Sequence, residues 1–303
     1  MKMTYFKKIM TILVMATTLT ACAGTSESDK SGKDSATNNK TENKEKTMAA
    51  TTDKYVEIKT SLGDITVRLF GDTPGHQANF LKLVKNGDYN NTLFHRVISE
   101  FMVQAGDPDS KTAKKGQQLG AGDSNYTLPA EIVYPKHYHK RGALAAARQG
   151  DQVNPERRSS GMQFYIVTGK KYSEKEIKEM LSQPDMAAMQ AEFQRLAAPH
   201  MEEVKRMQAA NDYAGLQKLQ DELVAQVEAK FANQSNEVDP KILEDYINLG
   251  GAPFLDKQYT VFGEVVKGMD VVDKIEKAQT DANDRPLEDI RILSAKEVKA
   301  PKN

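Results

Sequence analysis

The chain is 303 residues long and carries 42 Lys and Arg against 42 Asp and Glu. That balance argues against a nucleic-acid partner, which calls for a basic patch or stripe. Cys22 is the single cysteine, so no disulfide can form within the chain and no cysteine-based metal site can be assembled.

Lys2, Lys7 and Lys8 flank an apolar run from Ile9 to Leu19, too short for a comfortable membrane span. A charged start, a short apolar stretch and small residues at the cut predict a secretory signal over residues 1–21. Its end, Leu19-Thr20-Ala21-Cys22, resembles the bacterial lipobox, in which the cysteine becomes the lipid-modified first residue. Cys22 is therefore the expected lipidation site, against an incidental cysteine in an ordinary signal peptide. Residues 22–53 are Ser, Thr, Asn, Lys, Glu, Asp and Gly with almost no large apolar side chain. Such a segment buries too little surface to offset the entropy of ordering, which predicts a flexible tether. The remaining length allows one domain with a substantial insertion.

Tyr55–Thr60 and Asp64–Phe70 alternate apolar and polar residues around Ser61-Leu62-Gly63, the pattern of a β-hairpin. Asp72-Thr73-Pro74 predicts a helix start with a capping side chain. Phe80, Leu81, Leu83 and Val84 give that helix an apolar face, and Gly87 ends it. Phe94 to Asp107 again alternates like half-buried strands. If Val97-Ile98 and Met102-Val103 are strands joined at Ser99-Glu100, Arg96 and Gln104 reach one sheet face with Phe101 and Met102 beside them. On this stretch alone a surface ion-pair arginine and a satisfied edge glutamine account for the pattern equally well.

Lys111–Gly122 reads as a loop, Tyr126–Glu131 as extended chain and Asn154–Ser160 as a second loop. Gly142–Arg148 is a run of small residues. Small side chains there would let a bound backbone lie close, as in a groove; the other reading is an ordinary helix, since alanine is the best helix former. Gly161–Val167 is a short aromatic strand carrying Gln163. From Lys170 to Gly250 the period changes. Ser173 to Glu176 has capping-box spacing. Met186, Met189, Phe193 and Leu196 recur at helical spacing until Pro199, then Leu216, Leu219, Leu223 and Val227, then Leu243, Tyr246 and Ile247 after Asp239-Pro240. Two or three amphipathic helices are predicted. Their Met-rich stripe reads as core in preference to an adaptable client surface. Glycines at both junctions, Gly169-Lys170 and Gly250-Gly251, are expected where a module is grafted onto a loop.

Three stretches in order carry a resemblance. Phe94-His95-Arg96 followed by Phe101-Met102-Val103-Gln104-Ala105-Gly106-Asp107 resembles the cyclophilin signature FHR…FM-x-Q-x-GD. Gly161-Met162-Gln163-Phe164-Tyr165 resembles that family's G-S-Q-F-F, and Phe254-Leu255-Asp256-Lys257-Gln258-Tyr259-Thr260-Val261-Phe262-Gly263 its W-L-D-G-x-H-x-V-F-G. Gly142–Arg148 is similar to its G-x-L-S-M-A-N. The resemblance covers about residues 54–169 and 251–298. It implies a mostly β fold: a closed eight-stranded antiparallel barrel with two capping helices, here occupying residues 54–298 with an inserted α-helical segment at 170–250 and a tail at 299–303.

It also implies a peptidyl-prolyl cis-trans isomerase needing no cofactor, with proline-containing polypeptides as substrates. An Xaa-Pro amide rotates over a barrier of roughly 18–20 kcal/mol, between forms about 0.5–1 kcal/mol apart. The catalyst must hold the ring and favour the twisted amide, whose nitrogen regains a lone pair; a guanidinium aimed there stabilises the twisted state selectively. The resemblance assigns that role to Arg96 and gives Gln104 the task of orienting it and binding substrate backbone. Phe101, Met102, Tyr165 and Leu255 would wall the proline pocket, and Ala147 and Gln163 would border the groove. Four positions depart from the commonest pattern and put substrate preference and cyclosporin-type binding in doubt: Tyr165 for Phe, Phe254 for Trp, Tyr259 for His and Arg148 for Asn. The tyrosine hydroxyl must point to water or find a partner. His137 and His139 alternate as on a strand but lack a third ligand, which makes them surface histidines and leaves no metal site; His95 serves the fold. The resulting expectation is an exported, lipid-anchored isomerase of the cell envelope, periplasm-facing, that assists protein folding. The alternative is a non-catalytic chaperone or scaffold that holds clients with the barrel and the helical insertion.

Overall fold

The computed structural model describes residues 50–181, 186–232 and 238–301. The expectations for the signal, for Cys22 and for most of the tether lie outside the described residues. The described chain falls into two compact units, Ala188–Ala232 and the rest.

In the larger unit, β1 (Lys54–Thr60) and β2 (Gly63–Leu69) form the expected hairpin, with Val56 opposite Val67 and Ile58 opposite Ile65. Those four side chains and Leu69 are at most 1% exposed, so the alternation written in the sequence is the inner face of a sheet. Helix α1 (Pro74–Asn86) follows and ends at Gly87 with φ 75°. Its start differs from the expectation. Thr73 makes no side-chain cap, its hydroxyl donating to Phe70 O at 3.2 Å, while Asp72 binds Lys136 and His137. The free N–H groups of Gly75 and His76 donate instead to the Glu131 carboxylate, both at 2.9 Å. A cap supplied from more than fifty residues away has no local sequence signature. Burial raises the Glu131 pKa, but donation from the His76 ring and these two amides outweighs it and holds the carboxyl below its usual range.

Strands β3 (Phe94–Ile98) and β4 (Met102–Ala105) pair as predicted; β5 (Thr127–Leu128), β6 (Ala143–Ala146), β7 (Ser159–Ser160) and β8 (Phe164–Val167) follow. The alanine run is therefore a strand, wholly buried between β8 and β9 (Val261–Lys267). Helix α2 (Glu174–Leu181), α3 (Met186–Ala197), α4 (Met201–Ala209), α5 (Tyr213–Ala232) and α6 (Pro240–Asn248) lie between β8 and β9, and α7 (Met269–Glu276) and β10 (Ile292–Val298) close the order. Eight strands make one curled antiparallel sheet in the order β10-β1-β2-β9-β6-β8-β4-β3, while β5 and β7 pair separately. Phe80 of α1, Tyr89, Phe164 and Phe262 meet ring to ring inside it, at 4.9–5.6 Å. Helix α1 packs on β10, and α7 on β2, β3 and β4, which are the two expected capping helices.

The expected closure is not completed as a ladder. Terminal strands β10 and β3 are linked only through an isolated bridge between Leu93 and Arg291 and the backbone bonds around it. Beyond that point the free edge of β3 is taken by a loop, Val97 N donating to Asp284 O at 2.8 Å. The sheet is open, with a loop covering its edge.

The insertion does not behave as one grafted module. The capping box forms, Glu176 accepting from Ser173 N at 2.8 Å while Ser173 Oγ accepts from Glu176 N at 3.3 Å. Asp239 caps α6 through Lys241 N at 2.8 Å. Ile177 of α2, Ile242 and Tyr246 of α6 and Tyr138 of the sheet unit then form one buried cluster, with Leu181 and Val238 packed on it. The junction glycines exist because the two chain crossings touch: Gly251 N donates to Lys170 O at 3.0 Å, and a Cβ on Gly169 would lie 2.3 Å from Gly251 O. In the smaller unit Met189, Phe193, Leu223, Val224 and Val227 are buried against one another, which is the core reading of the stripe for Met189 and Phe193; the Met186 side chain lies outside the described residues.

Replacing residues 182–237 by a short Gly-Ser linker should therefore leave a cooperatively melting sheet unit, because Leu181 and Val238 sit on one cluster. Removing 170–248 strips out Ile177, Ile242 and Tyr246, at about 2–5 kcal/mol for each large buried side chain lost, against a total stability of about 5–15 kcal/mol. Thermal melts followed by circular dichroism decide between them; equal melting of the two variants would contradict this division.

Candidate active site

Cross-strand register builds the site. Arg96 stands opposite Gln104, Gln104 opposite Tyr165 and Tyr165 opposite Ala145, one row across β3, β4, β8 and β6. Strands are about 4.8 Å apart, so Arg96 and Tyr165 are two spacings, roughly 10 Å, apart on one face. This is the outer face of the sheet, opposite to the one bearing Phe164 and Ile166. On it Met102, Ala145, Tyr165 and Val167 form a second apolar cluster, against which Phe101, Ala147, Leu255 and Tyr259 pack half-buried. Phe254 lies 5.4 Å from the Phe101 ring and is 44% exposed, at the rim. The sequence-predicted apolar residues thus gather on one face of the sheet, with the Arg96 guanidinium at one end of the row.

The polar groups are arranged differently from the expectation in one respect. Gln104 donates from Nε2 to Gln163 Oε1 at 2.9 Å, and Gln163 donates in turn to the carbonyls of Gly120, at 3.1 Å, and Gly122. The hydrogen bond of Arg96 runs from Nε to Asp284 Oδ2 at 3.4 Å, with the two side chains 43% and 42% exposed. Asp284 was not singled out from the sequence. It lies in Asp281-Ala282-Asn283-Asp284, whose composition marks a turn, and it takes a left-handed backbone of φ 64°. Nothing local signals its delivery to the edge of β3.

Ala147 borders the cluster with its backbone engaged on both sides, its N–H donating to Gln163 O at 3.0 Å and its carbonyl accepting from Ser160 N at 2.8 Å. Arg148 is spent on the wall: its side chain is 3% exposed and pairs with Asp151 at 2.5 Å. It donates to Gln258 O at 2.9 Å and lies 4.3 Å above the Tyr259 ring. Tyr259 in turn stands edge-on to Tyr165, at 6.0 Å and 82°. The departures at 148, 165 and 259 are therefore one packed unit.

The Tyr165 hydroxyl has a partner, His139 Nε2 at 3.0 Å. His139 Nδ1 lies 2.9 Å from Asp256 Oδ1, and Tyr246 donates to Asp256 Oδ2 at 2.7 Å. His139 is 1% exposed, which overturns its reading as a surface histidine. His137 is likewise covered, stacked on Phe70 at 3.9 Å and 2.7 Å from Asp72. Both histidines sit on the inner side of a loop laid over the sheet, a tertiary placement that alternation could not reveal. Tyrosine, histidine and aspartate in series resemble a nucleophile with its base, but burial holds the Tyr165 phenol well above its usual range, so it stays a protonated donor. His95 is buried as expected of a residue serving the fold; burial lowers its pKa, with the Asp107 charge opposing.

A family model for "Cyclophilin type peptidyl-prolyl cis-trans isomerase/CLD" matches residues 55–183 and 205–297. The chain belongs to this family. It is 30% identical over 239 residues to a Staphylococcus saprophyticus protein provisionally named a peptidyl-prolyl cis-trans isomerase, covering 78% of this chain and 88% of that one. It is 31% identical over 242 residues to a Streptococcus pyogenes protein provisionally named a bifunctional phosphatase/peptidyl-prolyl cis-trans isomerase, covering 78% of this chain and only 37% of that longer one. A solved Cryptosporidium parvum cyclophilin type peptidyl-prolyl cis-trans isomerase aligns with 82% of this chain and 99% of its own, at 21% identity and a TM-score of 0.47. The aligned 239 residues exceed what 54–169 and 251–298 can supply, so the similarity enters the insertion, further than the motifs alone reach. The protein is a cyclophilin-type peptidyl-prolyl cis-trans isomerase, acting on proline-containing polypeptides.

Proposed function

We propose that Arg96 carries the isomerisation, and that the enzyme works in the cell envelope, tethered by a lipid on Cys22. The observation that carries the first part is the row itself: a guanidinium paired with Asp284 on the same face as the apolar cluster of Met102 and Tyr165. A proline ring packed against that cluster brings its amide to Arg96 and displaces water from the half-exposed guanidinium. Twisting the amide localises a lone pair on nitrogen, and a donor already aimed there stabilises this state more than the planar one. Arginine suits the task because it stays charged and offers several donors in a plane. Gln104, held by Gln163, presents its amide to the substrate backbone. No bond is made or broken, so no nucleophile enters the scheme.

Support for the envelope comes from Leu19-Thr20-Ala21-Cys22 and the polar stretch behind it. Among the described residues no helix is long and apolar enough to cross a membrane. The proposed role is accelerating Xaa-Pro rotation in exported proteins as they fold.

Arg96→Ala is expected to lower kcat/KM on an Xaa-Pro peptide by about 2–4 kcal/mol of transition-state stabilisation, about 30- to 1000-fold, with an unchanged melting curve. Unchanged turnover in the folded variant would remove Arg96 from the mechanism. Separately, Cys22→Ser is expected to abolish lipid labelling and move the protein out of the membrane fraction. A variant that stays membrane-bound would count against the anchor.

A further inference from the structure

We infer that Tyr246, a residue of the inserted segment, is a positioning residue for the proline pocket and acts on Tyr165 through Asp256 and His139. The inference deepens the isomerase reading, on which its kinetic arm rests.

The four side chains form one series of hydrogen bonds that converges from both ends on Asp256. Tyr246 donates to Asp256 Oδ2 at 2.7 Å. Asp256 Oδ1 accepts from both the backbone N–H and Nδ1–H of His139, each at 2.9 Å. With Nδ1–H given to the carboxylate, the neutral ring offers Nε2 as the acceptor for the Tyr165 hydroxyl at 3.0 Å. Tyr246 is 0% exposed, His139 1%, Tyr165 4% and Asp256 6%, so water does not substitute for a missing member. Among the described residues no arginine or lysine forms an ion pair with the buried Asp256 carboxylate; three donors hold its two oxygens. Removing one leaves a lone pair of a buried charge unsatisfied, and the carboxylate must turn to find another donor. Turning it releases His139, and with it the tether on the Tyr165 hydroxyl.

Tyr165 belongs to the apolar cluster beside Arg96, fixed at its far end by that tether and flanked edge-on by Tyr259. A phenylalanine there would be held by packing alone. The hydroxyl in the pocket and the tyrosine of the insertion are thus two ends of one device: the root of the insertion, helix α6, sets the ring that the substrate proline meets. The carbonyl of His139 reinforces the link by accepting from Ala252 N at 2.8 Å, just after the insertion rejoins the sheet unit.

The test measures kcat and KM on an Xaa-Pro peptide for the full chain, Tyr246→Phe, Tyr165→Phe and the double variant. Tyr246→Phe keeps the ring in its cluster and removes only the hydroxyl. It is expected to lower kcat/KM about threefold to tenfold, chiefly through KM, the size of one buried hydrogen bond. In the Tyr165→Phe background the same change is expected to cost less than about twofold, because the link to the pocket is already cut. An equal loss in both backgrounds, or no loss in the parent, would overturn the inference. A second readout is independent of turnover: the Tyr165 hydroxyl proton should exchange slowly in the parent and faster in Tyr246→Phe by NMR. If the parent proves inactive yet this exchange accelerates, the isomerase reading falls and the connection stands. Unaltered exchange sinks the connection whatever the activity.

Discussion

Everything at the site depends on the register of four strands. Arg96, Gln104, Tyr165 and Ala145 share a face only because β3, β4, β8 and β6 pair residue against residue in one phase. A slip of one position in the β4–β8 pairing would turn Tyr165 into the core and bring Phe164 out in its place. The phase is held by the inner face, where Phe164 meets Phe80 of α1 and Tyr89 edge-on at 5.5 and 5.4 Å. Packing on one side of the sheet therefore determines chemistry on the other, and the outer row can vary in detail without losing alignment.

Two carboxylates divide the polar work by burial. Asp284 is half exposed and steadies a half-exposed arginine; an ion pair of that kind contributes little to stability, which leaves Arg96 free to exchange its partner for a substrate. Asp256 is buried and held by three hydrogen bonds, so it fixes geometry firmly. The contrast lets a solvent-facing cation and a fixed wall coexist two strand spacings apart on one face.

Local patterns in the sequence reached the hairpin, the Arg96 strands, the Gly87 helix end and the Ser173–Glu176 capping box, because each is decided by residues within a few positions of one another. The motifs added the pocket residues, and the described geometry gathers Phe101, Met102, Ala147, Tyr165, Leu255 and Tyr259 on one face. What escaped were polar contacts between distant segments that no motif marks: Glu131 capping α1, Asp284 facing Arg96, His139 bonded to Tyr165, Tyr246 bonded to Asp256. The alanine run was ambiguous for a related reason. Alanine favours helices in isolation, yet between β8 and β9 its small side chain is what lets a buried strand fit. The insertion was legible as helices but not as two parts, since nothing local distinguishes a helix that roots in the sheet unit from one that packs within Ala188–Ala232.

The central claim is that this face of the sheet lowers the barrier to Xaa-Pro rotation without covalent chemistry. Exchange spectroscopy on a short peptide containing one Xaa-Pro bond, with a catalytic amount of the protein, measures that directly. The account predicts cis–trans exchange in seconds or less, proportional to protein concentration and with the equilibrium ratio unchanged, where the free peptide takes tens to hundreds of seconds. Exchange that stays at the free-peptide rate while the folded protein is present would contradict it.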